Sequence, residues 1–290
     1  MDARSDIRDF LISRRARITP EQAGLSTYGA RRRVEGLRRE EVALLAGISV
    51  EYYTRLERGN ANGASEEVLE GIVRALRLDE AERAHLFDLV RAISSSNLTR
   101  RRPAQERVRA TVQAILDAMV DLPAYVRNGR LDILASNRLG EALYSPVFSD
   151  STGTPNMARF IFLNERASEF FHDWEDIASD AVAILRAEAG RDPYDRRLSD
   201  LIGELSTRSD EFRVRWAAHN VKFHRMGVKK LHHPVVGDLT LAYEALELPA
   251  EGQRINVYSA EPGSPSHEAL RLLASWSATP RQSVDTAGGS

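Results

Sequence analysis

The stretch GLRREEVALLAGISVEYYTRLERGN, residues 36 to 60, concentrates side chains suited to reading a nucleic acid. Arg55 has the planar fork that pairs bidentately with guanine. Glu51 can accept a hydrogen bond from cytosine N4, and Val50 can pack on a thymine methyl. Ser49 and Tyr52 share the same turn. Arg38 and Arg39 open the preceding segment, where their charge and the helix dipole suit phosphate. Arg58 and Asn60 follow, within reach of the same backbone. Base-edge groups on one turn, flanked by phosphate groups, are what a helix in a major groove needs.

The spacing supplies the element that would carry them. Ala43 is small enough for two helices to cross, and Gly47, four residues on, suits a left-handed turn. Val42, Ile48, Tyr53 and Leu56 can lock the second helix onto the first, with Ser49 as its N-cap. Tyr53 stands where a smaller aliphatic residue usually packs, and its hydroxyl is expected to reach the surface. The plainer alternative is an ordinary helical corner of a core. The run Arg31-Arg32-Arg33 reads as a solvated face or as an additional basic arm.

Catalytic and metal chemistry find less support. The seven histidines are 85, 172, 219, 224, 232, 233 and 267. No H-E-x-x-H occurs, His219 and His224 are off one helical face, and His232 and His233 oppose each other on a strand. Motifs for a nucleophile elbow, a P-loop or a dinucleotide fold are missing. No cofactor, metal site or catalytic residue is expected. A ligand pocket is more plausible, and Tyr125, Asn137, Tyr144, Phe160, Trp174, Trp216, His219 and Tyr243 are its candidate lining. Singly, Phe160, Trp174 and Trp216 also fit a plain core, and Asn137 fits a helix cap.

The surrounding elements divide into two domains. Ile7 to Leu11, Val42 and Leu45, Tyr53 and Leu56, Val68 to Leu76, and Leu86 to Ile93 mark five helices by apolar period. The polar SSSNLTRRRPA reads as a linker, so the boundaries are 1–95 and 104–278. The second domain opens on a helix through Val108 and Met119. A hairpin follows at Asn128-Gly129, whose favoured turn takes positive φ at both central residues. Residues 137–143 form a short helix, and 156–222 are largely helical. Strands return in KKLHHP, in LTLAYEALEL after a Gly237-Asp238 turn, and in RINVYSAE. Helices interleaved with about five strands make an α+β domain.

The chain's 290 residues carry a net charge of −2 and no cysteine. Residues 1–110 hold 21 arginines against 17 acids, a balance of +4, so the remainder is −6. No signal peptide and no apolar run near ~20 residues is present. A cytoplasmic protein without a membrane span is expected.

Residues 36–60 resemble the helix-turn-helix of Xre-type, lambda-repressor-like transcription regulators. NMARFIFLNERASEFFHDWEDIASDAVAILRAEAGRDPYDRRLSDLIGELSTRSDEF, HHPVVGDLTLAYEALELP and INVYSAEPGSPSHEALRLL resemble the C-terminal domain of their MmyB-like branch. The likeness covers about residues 5 to 277. It departs at KFHRMGVKK, where relatives usually show a charged run and a small-Gly pair and Met226-Gly227 loses the small polar residue. The resemblance implies a PAS-like second domain with an antiparallel sheet and a small lipophilic, fatty-acid-like ligand.

Together these readings give a multidomain regulator, a five-helix DNA-binding domain before an α+β ligand-binding domain. Its partners would be operator double-stranded DNA, a lipophilic effector and a second copy of itself. Two alternatives fit parts of the pattern: a small-molecule enzyme with an N-terminal DNA-binding or docking module, and a protein-interaction adaptor.

Overall fold

The computed structural model describes residues 3–25, 34, 36–94, 107–149, 153–218, 226–248 and 252–278. By packing, the chain forms two compact units: Met1–Pro103 with Ala178–Phe223, and Ala104–Ile177 with His224–Ser290. The arginine triplet, most of the linker, His219, His224 and the C-terminal tail lie outside the described residues.

The N-terminal part of the first unit is all helical, as its 3.6-residue apolar period requires. Its helices are α1 (Ala3–Arg17), α2 (Arg39–Ala46), α3 (Val50–Glu57), α4 (Glu66–Ala75) and α5 (Glu80–Ser94). Ile7, Phe10, Leu11, Val42, Tyr53, Leu56, Ile72, Leu76, Leu86 and Leu89 form its core. Asp79 and Glu82 begin α5 as a reciprocal cap, each carboxylate accepting from the other's backbone N–H at 2.9 and 3.1 Å. Glu82 has a second role. It is buried between Arg14 and Arg17, at 3.2 and 2.9 Å, tying α5 to α1.

The second unit opens with α6 (Ala110–Ala118), β1 (Ala124–Arg127) and β2 (Ile133–Ser136). Then come α7 (Arg138–Leu143), α8 (Ser145–Ser149), α9 (Met157–Leu163) and α10 (Ala167–Phe170). Helix α11 (Trp174–Arg191) starts in this unit; α12 (Arg196–Arg208) and α13 (Asp210–Ala217) belong to the first. The second unit closes with β3 (Met226–His233), β4 (Gly237–Leu248), β5 (Gln253–Ser259) and α14 (Pro265–Ala278).

The five strands make one sheet in the order β2-β1-β5-β4-β3, every neighbouring pair antiparallel. Ala124, Val126 and Ile255 pack with Val112 and Leu116 of α6 on one face. The strand period of two then puts Tyr125, Asn256, Tyr258 and Tyr243 on the other face, where register sets Tyr125 opposite Asn256 and Tyr243 opposite Tyr258. Two turns differ from expectation. The β1–β2 connection is longer than an Asn-Gly turn, because Asn128 Oδ1 accepts from the N–H groups of Arg130 and Asp132 at 2.9 and 3.0 Å. Positive φ therefore falls on Leu131 (66°), not on Asn128 or Gly129. The β3–β4 turn occupies residues 234–236, with Gly237 already pairing His233. No described helix is long and apolar enough to cross a membrane.

Candidate DNA-reading helix and aromatic ligand core

Helices α2 and α3 meet at the expected turn. Gly47 ends α2 at φ 71°, and the N–H of Ile48 returns to Ala43 O at 3.0 Å. The Ser49 hydroxyl then accepts from the N–H of Tyr52 at 3.1 Å and starts α3. In α4, a Cβ on Gly71 would lie 2.6 Å from Ala46 O, so its lack of a side chain sets how closely α4 backs α2.

Helix α3 has two opposed faces. Tyr53, Leu56 and Glu57 are buried, whereas Ser49, Val50, Glu51, Arg55, Arg58 and Asn60 are exposed and Tyr52 is half-buried. The Arg55 guanidinium lies over the Tyr52 ring, 4.7 Å from its centroid, so the two share one surface. Glu57 is the pivot beneath them. Arg15 grips both its carboxylate oxygens at 3.0 Å, and Arg39 Nε meets Oε1 at 3.0 Å.

That network revises two expectations. Arg39 remains 44% exposed but is also half of an internal ion pair, so its charge is already engaged within the protein. Tyr53 does not lead its hydroxyl out; the residue is fully buried beside Arg15 and Glu57. Burial first, then the Glu57 charge, pushes that phenol well up. Arg38, half-buried, precedes α2; its N–H donates to Glu41 at 2.6 Å and its guanidinium meets Glu40 at 3.3 Å. Glu57 had no place in the sequence reading. An acid four residues after Tyr53, on the same helical face, was the available signal.

In the second unit, three candidate lining residues converge on the sheet face opposite α6. Tyr144 meets Tyr125 edge-on at 5.3 Å, and Tyr258 joins both at 5.5 and 6.1 Å. Tyr243 lies 6.1 Å from Tyr258. A phenylalanine group continues the surface. Phe160, Phe170 and Phe171 contact one another, and Tyr144 is 5.9 Å from Phe170. Burial raises the Tyr144 and Tyr258 phenols well above their usual range, so both stay neutral donors. Asn256 Nδ2 donates to the Tyr125 hydroxyl at 3.0 Å, while its buried Oδ1 has no partner among the described residues. Tyr258, Phe170, Phe171 and Asn256 are additions; alternation along RINVYSAE pointed to Asn256 and Tyr258 sharing a face.

The other described candidates make contacts of their own. The Asn137 Oδ1 accepts from Ala124 and Gly140 N–H groups at 3.0 and 2.7 Å. Its Nδ2 donates to the Met119 and Leu122 carbonyls, each at 2.7 Å. These four bonds use the hydrogen-bonding capacity of the carboxamide, and Asn137 serves as the N-cap of α7. Trp174 donates its indole N–H to Ile161 O at 3.1 Å and packs edge-on against Phe162. Trp216 belongs to the first unit, stacked on Phe212 at 5.5 Å. Buried Arg186 lies 4.2 Å over its ring, and burial draws that guanidinium down to about 10.

Residues 13–86 match a family model described as a helix-turn-helix domain. Residues 108–273, more than half the chain, match the MmyB-like transcription regulator ligand binding domain. No curated protein matches the chain. A helix-turn-helix followed by that domain is the architecture of a ligand-regulated, DNA-binding transcription regulator. The chain belongs to the family of MmyB-like helix-turn-helix regulators.

Proposed function

We propose that the protein is a cytoplasmic, homodimeric regulator of Xre type. Residues 1–95 read an operator through α3, and residues 104–278 bind a lipophilic, fatty-acid-like effector and carry the dimer contact. Ser49, Val50, Glu51, Tyr52 and Arg55 face base edges; Arg38, Arg39, Arg58 and Asn60 meet phosphates. The observation that carries this reading is the division of α3, its inner face locked on Glu57 and its outer face exposed among the described residues. A dimer follows from economy of contact: two half-sites about 34 Å apart gain affinity and specificity that one small module lacks.

The effector lies against Tyr125, Tyr144, Tyr243 and Phe160, together with Tyr258, Phe170 and Phe171. Each buried methylene contributes ~0.8 kcal/mol. Regulation needs only ~1–3 kcal/mol of coupling between sites, so a medium-length chain suffices if it binds two states of the dimer unequally. Native mass spectrometry of the protein as purified, followed by titration with a saturated fatty-acid series, tests the reading. The expected result is a dimer that carries or takes up one lipophile per subunit, with Phe170→Ala weakening uptake about tenfold. A monomer that takes up none of the series would overturn it.

A further inference from the structure

A histidine distant in sequence meets a cross-strand pair on the β3–β4 hairpin. His232 and Asp238 are cross-strand partners in the register of β3 and β4. His172 is brought beside them by its own backbone. Phe171 forms an isolated antiparallel bridge with Leu231, and the His172 N–H donates to Lys230 O at 3.2 Å. The result is convergence on one atom. His172 Nε2 lies 3.1 Å and His232 Nδ1 2.6 Å from Asp238 Oδ1. The three ligand-capable atoms all lie within 4.8 Å of one another.

We propose that His172, His232 and Asp238 form a binding site for a divalent transition-metal ion of the zinc class. Two imidazoles and a carboxylate are the nitrogen–oxygen donor set such ions favour, with water completing the shell. Bonds of ~2.0–2.2 Å place tetrahedral ligand atoms roughly 3.4 Å apart. The separations here need only small rotations of side chains that are 46%, 54% and 72% exposed. Without an ion, Asp238 Oδ1 accepts a hydrogen bond from each ring; a cation would replace those two protons and take the lone pairs of all three groups together, which their mutual approach within 4.8 Å allows. The backbone supports the donors independently: the hairpin register fixes His232 against Asp238, and the Phe171–Leu231 bridge fixes His172. When bound, the ion joins the hairpin to the segment between α10 and α11. His233, the next residue, takes no part; it is buried, with Nε2 3.0 Å from Ala142 O.

The test is Zn²⁺ titration of the untagged full chain by calorimetry. His172→Ala, His232→Ala and Asp238→Asn are compared with His267→Ala, a histidine remote in sequence from the site. The expected result is one equivalent of Zn²⁺ per chain. Each of the three variants should weaken it at least about tenfold, the scale on which even outer-shell losses register, and His267→Ala should leave it unchanged. All three sites are exposed, so the metal-free variants should melt like the parent. Should one not, the Co²⁺ form of the parent provides the second measurement: visible bands of a low-symmetry nitrogen–oxygen site support the assignment, and the spectrum of hexa-aqua Co²⁺ rejects it. Absence of stoichiometric Zn²⁺ binding, or binding that survives all three substitutions, overturns it.

Discussion

Glu57 shows how a buried charge can organise an exposed one. The carboxylate is fully buried, and Arg15 and Arg39 make three close contacts with it. Replacing it by Gln keeps the shape but leaves two guanidinium groups without a counter-charge, one of them only 14% exposed. Glu57→Gln should therefore destabilise the helical domain by roughly 3 kcal/mol in urea unfolding. Unchanged stability would mean that the ion pairs are dispensable. The same contact makes Arg39 a poor isolated probe of phosphate binding, since Arg39→Ala disturbs fold and surface together. Arg58 is the cleaner choice. Arg58→Ala should weaken binding to cognate and random DNA alike and lower the slope of log affinity against log salt by about one. A loss confined to one operator sequence would place Arg58 at a base. At this scale the exposed residues were legible, because helical period alone separates Val50, Glu51 and Arg55 from Tyr53 and Leu56. Glu57 was not, because composition marks an acid as solvated until its partners, 18 and 42 residues away, are known.

The elements repeat this lesson at larger size. All five N-terminal helices follow from apolar period, and α3 begins where Ser49 offers a cap. The turn before it depends on Gly47 at φ 71° with open space around its missing Cβ. Gly47→Ala should thus cost about 1 kcal/mol, from backbone conformation and not from a clash. Ser49→Ala should cost a similar ~1 kcal/mol by leaving an N–H of the first turn uncapped. Thermal melts of both variants check this, and a loss from neither would mean that α3 is held by packing alone. The β1–β2 hairpin was legible as a hairpin but not in its turn. An Asn-Gly pair favours a two-residue connection, yet the Asn128 side chain bonds forward to Arg130 and Asp132 and draws more residues into the loop. Local side-chain bonding of this kind competes with the backbone turn and is invisible to dipeptide preference.

At the scale of the whole molecule, the kinds of domain were readable and the grouping of aromatics was less so. Trp174 and Trp216 both occur in one long helical region of sequence, yet they lie in different compact units. Tyr125, Tyr144 and Tyr243 do come together, because sheet register and the cap of α7 bring them to one face. Tyr258, at the centre of that group, needed the β4–β5 pairing to be found. The regulator account joins a helix with one exposed side to a domain of the ligand-binding family, and it stands or falls on what that side touches. The most direct measurement is a parallel selection from random-sequence DNA by the wild-type protein and Arg55→Ala, scored base by base. The account predicts a two-half-site operator for the wild type. For the variant it predicts lost preference at one position per half-site, worth roughly 1–3 kcal/mol, with the other positions intact. An identical base profile for the two proteins, or equal losses on selected and random DNA, would contradict it.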